Sequence, residues 1–275
     1  MKSNIKVIEK QGTKEGKNLV ILVGVHGNEV CGVKATDILL PRLKINSGKV
    51  TFIYANLEAI KQNKRFVEQN LNRCFFDEQS LEIKQSLEGK TAKEIMPYLN
   101  RAEALLDIHA SLTKDSTSFV ICDESNIKVA KVLNPEKIIC NIDKFHPGST
   151  DGYMNLQNKP GFCFECGYAN DPNTWNIAEK AIIKFLRYYG AIKGKTNISK
   201  TNQPIIKIIG LYKNKYGSFK TNRYFRDFGE IKDRTLIGLD GDREVYVGRD
   251  KVVLFVRDRE NIGEECFLIA EEVLI

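Results

Sequence analysis

The sequence predicts an α/β fold in which a largely parallel sheet carries helices on both faces, followed by a small all-β domain. Leu19 to Val23 is a run of five branched apolar residues, which suits a strand covered on both faces. A helix-like segment and a second apolar run follow it, and this β-α-β order favours parallel strands. After Gly190 the sequence changes to short β-like runs separated by glycines. We therefore predict a first domain over residues 1–192 and a small β domain over residues 200–275.

The composition is that of an ordinary globular protein, because 42% of the 275 residues are hydrophobic and 28% are charged. No apolar stretch is long enough to span a membrane, and the N-terminal residues lack the apolar core of a secretory signal. The seven cysteines form no repeating pattern, which fits a reducing compartment better than a disulfide framework. We therefore expect a cytoplasmic protein without membrane contact. The net charge of +7 attracts a small acidic substrate as readily as a nucleic acid.

Local patterns define the elements of the first half of the chain. A helix is predicted over Val30–Leu40, because its apolar spacing is helical and a proline follows it. Residues 63–75 show neither helical nor strand periodicity and are predicted to be a loop. Residues 78–103 are predicted to be helical with a break near Gly89. The predicted strands of this half are Leu19–Val23, Val50–Ala55 and Ala104–His109.

The second half begins with a predicted polar loop that His146 opens, after two short strands and a helix. A helix is predicted over residues 172–190, with Asp171 as its N-cap and Gly190 at its end. A polar linker is predicted over residues 191–202. The predicted strands are 118–121, 137–140, 161–167, 205–209, 243–247, 251–256 and 266–269, and the short helix is 126–133.

The sequence predicts a metal site built from histidines at the ends of apolar runs. Glu29 follows His26 by three positions, and Gly27 between them is free to adopt unusual backbone angles in a tight turn. Because the carboxyl ends of parallel strands meet at one edge of a sheet, we expect His109 to join this pair. Two histidines and one glutamate form the ligand set of catalytic zinc sites, which keep a fourth position open.

Other residue types that bind metals lie near these motifs. Asp107 is either a hydrogen-bond partner of a ligating histidine or an ordinary acid at a strand end. His146 precedes a proline in a polar stretch, and we interpret it as a loop residue rather than a ligand. Cys163 and Cys166 spell Cys-x-x-Cys, but residues at this spacing point to opposite faces of a strand. We therefore interpret both cysteines as packing residues.

Glu165 lies in the middle of the otherwise apolar predicted strand 161–167. Burial of a carboxylate is costly unless the group has a partner or a purpose. Such an acid has a raised pKa, which suits a general base that takes a proton from an attacking water molecule. The alternative is a core glutamate paired with an arginine. Near a metal site we favour the catalytic interpretation.

Two arginines, Arg65 and Arg73, lie in the predicted loop over residues 63–75. Guanidinium groups bind carboxylates bidentately, so that these arginines can hold an anionic substrate. Arg73 can also polarise the carbonyl group that is attacked. The alternative is a pair of solvated surface arginines.

Residues 207–226 contain six basic residues and five aromatic rings but no acidic residue. Single-stranded nucleic acids bind to surfaces of this composition. We favour a solvated β surface, or a rim that attracts an anionic substrate. Nucleic acid is therefore not the expected partner.

Four motifs occur in order along the chain: His26-Gly27-Asn28-Glu29, Asn72-Arg73-x-Phe75, Asp107-Ile108-His109 and Glu165-x-Gly167. With a trailing β domain they resemble the succinylglutamate desuccinylase and aspartoacylase family, relatives of the zinc carboxypeptidases. The resemblance spans nearly the whole chain and implies a zinc carboxypeptidase-like fold. It implies that His26, Glu29 and His109 hold one zinc ion (Zn2+) per chain. It also implies that Glu165 is the general base and acid and that Arg73 stabilises the tetrahedral oxyanion.

The sequence also departs from this family. Arg65 and Arg73 reproduce the spacing of two substrate-site arginines of aspartoacylase. The family's Asp-Leu-Asn-Arg segment is Asn-Leu-Asn-Arg over residues 70–73, so we expect the loop to be anchored differently. A third substrate-binding arginine of aspartoacylase precedes its catalytic glutamate, but this chain has no arginine between Arg101 and Arg187. The resemblance therefore argues against N-acetylaspartate as the substrate.

Substrate specificity is accordingly expected to rest on hydrogen bonds rather than on another ion pair. The predicted substrate-binding residues are Arg65, Asn72, Thr150, Asp151 and Tyr153. The hypothesis is a zinc-dependent amidohydrolase acting on linear amides, which deacylates an N-acyl amino acid or a related small carboxylate. The alternatives are a metallocarboxypeptidase that acts on peptides and a nucleic-acid-binding module with a structural metal. The sequence leaves open whether the chain forms a homo-oligomer.

Overall fold

A computed structural model describes residues 3–76, 78–196 and 203–274. The chain forms two compact units, and residues 139–145 together with those from Pro204 onward make up the second. The inclusion of residues 139–145 in the second unit was not predicted from the sequence. The domain boundaries predicted at residues 192 and 200 stay predictions, and residues 197–202 of the predicted linker lie outside the described residues.

The first unit contains alternating strands and helices. Its strands are β1 (Lys6–Gln11), β2 (Lys14–Val23), β3 (Ser47–Tyr54), β4 (Ala104–Ser111), β5 (Phe119–Cys122), the start of β6 (Lys137–Cys140) and β7 (Gly161–Tyr168). Its helices are α1 (Cys31–Leu39), α2 (Leu57–Gln62), α3 (Leu81–Gln85), α4 (Leu87–Arg101), α5 (Ile127–Leu133), α6 (Thr150–Leu156) and α7 (Thr174–Tyr188). None of the helices in the described part of the chain is long and apolar enough to cross a membrane.

The sheet of the first unit is mixed but largely parallel, as predicted. Strands β3, β2, β4 and β7 lie side by side in this order and run parallel. Strand β1 pairs with β3 and strand β5 pairs with β7, in both cases antiparallel. The register places Val23 opposite Ile108 and His109 opposite Glu165. The ends of β2, β4 and β7 therefore carry the polar motifs at one edge of the sheet.

Helices cover both faces of this sheet, as predicted. Val20 and Leu22 of β2 pack into a buried cluster with Ile95 of α4. On the opposite face, Gly32 of α1 lies against Val23 and Ile108. Alternate residues of β2 are thus buried against different helices, which explains why its apolar run is continuous. Full burial of each such side chain stabilises the fold by about 1.5–3 kcal/mol.

The predicted helices 30–40 and 126–133 are confirmed, but three other predictions need correction. The region predicted as a loop after His146 contains helix α6, because the Ser149 hydroxyl caps it by accepting from the Gly152 amide at 3.0 Å. The break between α3 and α4 lies at Ser86 rather than near Gly89, since Ser86 caps α4 in the same way. Helix α7 begins at Thr174 rather than at residue 172.

The second unit consists of antiparallel strands and a short 3-10 turn over Ile142–Lys144. One sheet has the order β8, β14, β13, β10 and the other has the order β12, β11, β9. The strands are β8 (Ile205–Lys213), β9 (Phe219–Thr221), β10 (Gly229–Ile231), β11 (Thr235–Asp240), β12 (Arg243–Val247), β13 (Lys251–Leu254) and β14 (Glu265–Val273). Strands β9, β10 and β11 were not predicted from the sequence, because β9 and β10 have only three residues each and the register of β11 shifts between Leu236 and Gly238.

The aromatic rings of residues 207–226 are divided between the core of the second unit and its surface. Phe219 and Phe225 are buried, and Tyr212 packs against the same cluster. Tyr216 and Tyr224 remain exposed. Three of the five rings thus help to pack the β structure, whereas the favoured interpretation placed the whole segment on a solvated surface or a rim.

Candidate metal centre

The first two candidate ligands lie in the turn that follows β2. The Glu29 amide donates to the carbonyl of His26 at 3.1 Å, which closes the turn. Gly27 is required here because a Cβ at this position would lie 2.1 Å from the carbonyl carbon of Ala59. The positive φ expected at Gly27 is found instead at Gly24, where φ is 69°. Close backbone approach, rather than an unusual backbone angle, is therefore the reason for glycine at position 27.

The three predicted ligands meet at one buried point. The Nδ1 atom of His26 lies 2.8 Å from Oε1 of Glu29, and the Nδ1 atom of His109 lies 3.0 Å from Oε2 of Glu29. The two Nδ1 atoms are 3.3 Å apart. Ligands at about 2.0–2.1 Å from one tetrahedral zinc ion are separated by about 3.3 Å. The donor set and its spacing therefore fit a zinc ion without a change of fold.

The outer nitrogen of each histidine has its own oxygen partner. Nε2 of His26 lies 3.0 Å from Oδ1 of Asn70, and Nε2 of His109 lies 2.9 Å from Oδ2 of Asp107. These acceptors assign the ring protons to the Nε2 atoms, which leaves the Nδ1 lone pairs for a metal. Of the two interpretations of Asp107, the structure therefore supports the partner of a ligating histidine.

Burial and charge shift the pKa values of the candidate ligands. Burial would raise the pKa of Glu29, but the two neighbouring histidines lower it well below its usual range. Burial also lowers the pKa of His26. For His109 burial acts in the same direction, but the carboxylate of Asp107 and the thiol of Cys163 raise the pKa well above its usual range. Glu29 is thus ionised at neutral pH, and a metal competes with a proton for His109.

The predicted general base lies beside this group. Glu165 is the register partner of His109, and ligand atoms of His109, Cys163 and Glu165 all lie within 4.8 Å of one another. Its Oε2 atom is buried and has no hydrogen-bond partner among the described residues. Burial and the nearby Glu29 carboxylate raise the pKa of Glu165 to about 8. A carboxylate of this kind can take up a proton near neutral pH.

The two cysteines of the Cys-x-x-Cys sequence have different surroundings. Both are buried, and Cys163 lies on the same side of β7 as Glu165, as the strand alternation predicts. The thiol of Cys166 instead contacts Cys31. The pair therefore does not form one site, although the contact between Cys163 and His109 was not predicted.

The two loop arginines occupy different positions. Nη1 of Arg65 lies 2.8 Å from Oε1 of Glu29, so this arginine pairs with a candidate ligand rather than with solvent alone. Its side chain is 43% exposed, which leaves part of the guanidinium accessible. Arg73 ends the 3-10 turn Leu71–Arg73, and its Nη1 donates to the Asn72 carbonyl at 2.6 Å. Both arginines thus belong to the segment that borders the ligand group.

The other predicted substrate-binding residues are only partly brought together. The Thr150 amide donates to Oδ1 of Asn72 at 3.0 Å, and Asp151 is buried in the same first turn of α6. The Tyr153 hydroxyl instead donates to Oδ1 of Asn100 at 2.8 Å, and it makes no bond to the ligand group. Substrate contacts by these residues stay predictions.

One buried acid that the sequence analysis missed holds the segment that follows Arg65. Glu88 of α4 is fully buried, and its carboxylate accepts the backbone amides of Val67, Glu68 and Gln69 at 2.7, 3.1 and 3.0 Å. A polar loop without regular structure needs such acceptors. The sequence shows that the loop needs acceptors for its backbone amides, but it does not show that Glu88 is the acceptor.

The fold and the site define an α/β protein with a His-Glu-His candidate metal centre at one edge of a parallel sheet. The family model of the succinylglutamate desuccinylase/aspartoacylase catalytic domain matches residues 15–189. The chain belongs to this family, as the motifs predicted. The family names denote amidohydrolases, which confirms the predicted enzyme class.

Individual relatives agree with this assignment. A succinylglutamate desuccinylase of Vibrio parahaemolyticus is 31% identical over 299 residues, which cover 98% of this chain and 84% of the relative. A probable aspartoacylase of Nostoc sp. is 24% identical over 265 residues, which cover 85% of this chain and 88% of the relative. The crystal structure of a succinylglutamate desuccinylase from Vibrio cholerae matches with a TM-score of 0.80 at 18% identity. The match covers 97% of this chain and 85% of that structure. The predicted fold class is therefore confirmed.

Proposed function

We propose that the protein is a zinc-dependent hydrolase that removes the acyl group from an N-acyl amino acid or a related small carboxylate. The observation that carries this proposal is the meeting of His26, Glu29 and His109 within hydrogen-bond distance, with Glu165 opposite His109. A purely structural ion pair gives no reason for a buried carboxylate oxygen without a hydrogen-bond partner beside two oriented imidazoles. A hydrolytic site does, because its general base needs an oxygen that is free to accept a proton.

His26, Glu29 and His109 would hold the zinc ion, which suits neutral imidazole and carboxylate ligands. When bound, zinc polarises the substrate carbonyl and lowers the pKa of water. The Asn70 and Asp107 oxygens keep the imidazoles oriented through their Nε2 atoms.

Glu165 supplies the acid and base chemistry of the proposed reaction. Its carboxylate accepts a proton from the attacking water and returns that proton to the leaving amine. The raised pKa of about 8 belongs to the site without a cation, and a nearby positive charge lowers it toward neutrality or below. The carboxylate form is then available at physiological pH.

The loop arginines support a substrate that carries a carboxylate. The partly exposed Arg65 binds the carboxylate of the substrate, and Arg73 offsets the negative charge that develops on the carbonyl oxygen. Asn72, Thr150, Asp151 and Tyr153 are the further predicted substrate residues. A cytoplasmic location stays a prediction from the cysteine pattern and the N-terminal sequence.

The test is an assay of the zinc-loaded protein with N-succinyl and N-acetyl amino acids beside short peptides with a free C-terminus. We expect release of the free amino acid from at least one acylated amino acid and slower cleavage of the peptides. Faster cleavage of the peptides would support the metallocarboxypeptidase alternative. Loss of activity in Glu165→Gln is the control, and equal activity in that variant would contradict the proposal.

A further inference from the structure

Thr150 connects two segments of the candidate site that are distant in sequence. It is the first residue of α6 and is fully buried. Its hydroxyl donates to Oδ2 of Asp107 at 2.5 Å, and its backbone amide donates to Oδ1 of Asn72 at 3.0 Å. Thr150 thus donates both to Asp107, which pairs with the candidate ligand His109, and to Asn72 of the predicted substrate-binding loop.

These contacts are part of a longer chain of hydrogen bonds that ends in an ion pair between Asp107 and His109. Asn70 accepts the backbone amide of Asn72 at 3.0 Å, and the same Oδ1 atom lies 3.0 Å from Nε2 of His26. At the other end, Oδ2 of Asp107 lies 2.9 Å from Nε2 of His109. The residues in order are His26, Asn70, Asn72, Thr150, Asp107 and His109, of which the last two are joined by an ion pair rather than by a hydrogen bond. The chain therefore joins the outer nitrogens of both candidate ligands.

The position of Asp107 depends on the Thr150 hydroxyl. An ionised carboxylate accepts hydrogen bonds only, so Thr150 must donate to it. The other carboxylate oxygen, Oδ1, is buried without a hydrogen-bond partner in residues 3–76, 78–196 and 203–274. The hydroxyl and the His109 imidazole are therefore the side-chain groups that fix the carboxylate. Without the hydroxyl, the carboxylate can rotate and the imidazole loses the fixed position of its ion-pair partner.

We propose that Thr150 is a positioning residue of the metal centre, which orients His109 through Asp107 and ties Asn72 to the same group. This inference rests on the proposed function for the identity of the metal. Thr150 does not contact the metal or the substrate in this role. Its effect is to keep the Nδ1 lone pair of His109 directed at the point where His26 and Glu29 meet.

The experiment measures the zinc dissociation constant by competition with a chromophoric chelator, without any substrate. Thr150→Val removes the hydroxyl but keeps the branched shape and the backbone amide, and we expect zinc binding to weaken about tenfold or more. Thr150→Ser retains the donor and should restore nearly normal affinity. The matched control is Thr36→Val, because the Thr36 hydroxyl is equally buried but has no hydrogen-bond partner within the described residues.

Wild-type zinc affinity in folded Thr150→Val would overturn the inference. If that variant does not fold, as judged by circular dichroism, Thr150→Ala takes its place. Failure of both to fold, beside a folded Thr36→Val, would assign the hydroxyl to stability alone and would also overturn it. Because no substrate is used, a protein whose zinc affinity depends on the Thr150 hydroxyl but that hydrolyses no acylated amino acid would contradict only the proposed function.

Discussion

His109 of β4 and Glu165 of β7 are register partners on adjacent parallel strands. Paired residues of neighbouring strands present their side chains on the same face of a sheet. A candidate metal ligand and the predicted general base are therefore held side by side by backbone hydrogen bonds rather than by a flexible loop. A slip of one residue would turn Glu165 to the opposite face of the sheet.

Glu165→Gln should remove activity and leave zinc binding intact. The amide keeps the shape of the side chain but cannot accept the proton, and loss of a general base costs about 10²- to 10⁴-fold in kcat. Steady-state kinetics and zinc content by mass spectrometry measure the two effects. Glu244→Gln, on an exposed position of the second unit, is the matched control and should retain full activity.

His109→Ala should lose the bound metal. We expect about one zinc ion per wild-type chain and none in the variant, because the site would keep only two of its three protein ligands. Elemental mass spectrometry of untagged protein measures this ratio. His146→Ala is the control, since His146 is the one histidine outside the candidate ligand group. Equal zinc loss in both variants would contradict the assignment of His109.

The metal-free protein should lose stability as the pH rises toward about 8. Burial and the nearby Glu29 carboxylate raise the pKa of Glu165 to about 8 in the folded state, well above its usual value, so its protonated form is favoured in the fold. This contribution is complete below the unfolded pKa and is lost as the pH rises through the folded value. Thermal unfolding with a chelator, between about pH 4 and about pH 9 so that both pKa values are spanned, should show a smaller decline in the melting temperature of Glu165→Gln than in that of the wild type. An identical dependence of stability on pH in the wild type and in Glu165→Gln would refute the raised pKa of Glu165.

Arg65→Ala should raise KM more than it lowers kcat. A charge-assisted hydrogen bond contributes about 1.5–3 kcal/mol, which corresponds to a rise in KM of roughly 10- to 100-fold. Arg65 also pairs with Glu29, so zinc content must be measured in parallel. The neighbouring exposed Lys64→Ala controls for the loss of a positive charge at the loop. An unchanged KM would exclude Arg65 from substrate binding.

Glu88→Gln should destabilise the first unit by about 3 kcal/mol, because an amide NH2 would face backbone amides that now donate to the carboxylate. Chemical denaturation measures the change in the free energy of unfolding. Glu82→Gln, an exposed position on α3, should change it by less than about 0.5 kcal/mol. Equal stability of the two variants would show that the buried carboxylate is not needed to hold the loop.

The sequence by itself determined the fold class and the membership of the candidate metal group. Apolar runs such as Leu19–Val23 follow from burial on both faces, and parallel strands bring their carboxyl ends to one edge. For that reason His26, Glu29 and His109 were predicted together although more than 80 residues separate the outer two. The position of Glu165 in an apolar strand signalled an unusual carboxylate before any neighbour was known.

Only the tertiary structure decided which groups support that site. Asn70 faces His26, Thr150 reaches Asp107, and Glu88 holds the loop, yet these residues have ordinary local sequence surroundings. The physical reason is that periodicity reports which side chains are buried, whereas hydrogen-bond partners depend on register and on how helices pack against the sheet. Helix α6 illustrates this, because a serine cap and packing against β4 and β7 stabilise a segment whose polar composition predicts a loop.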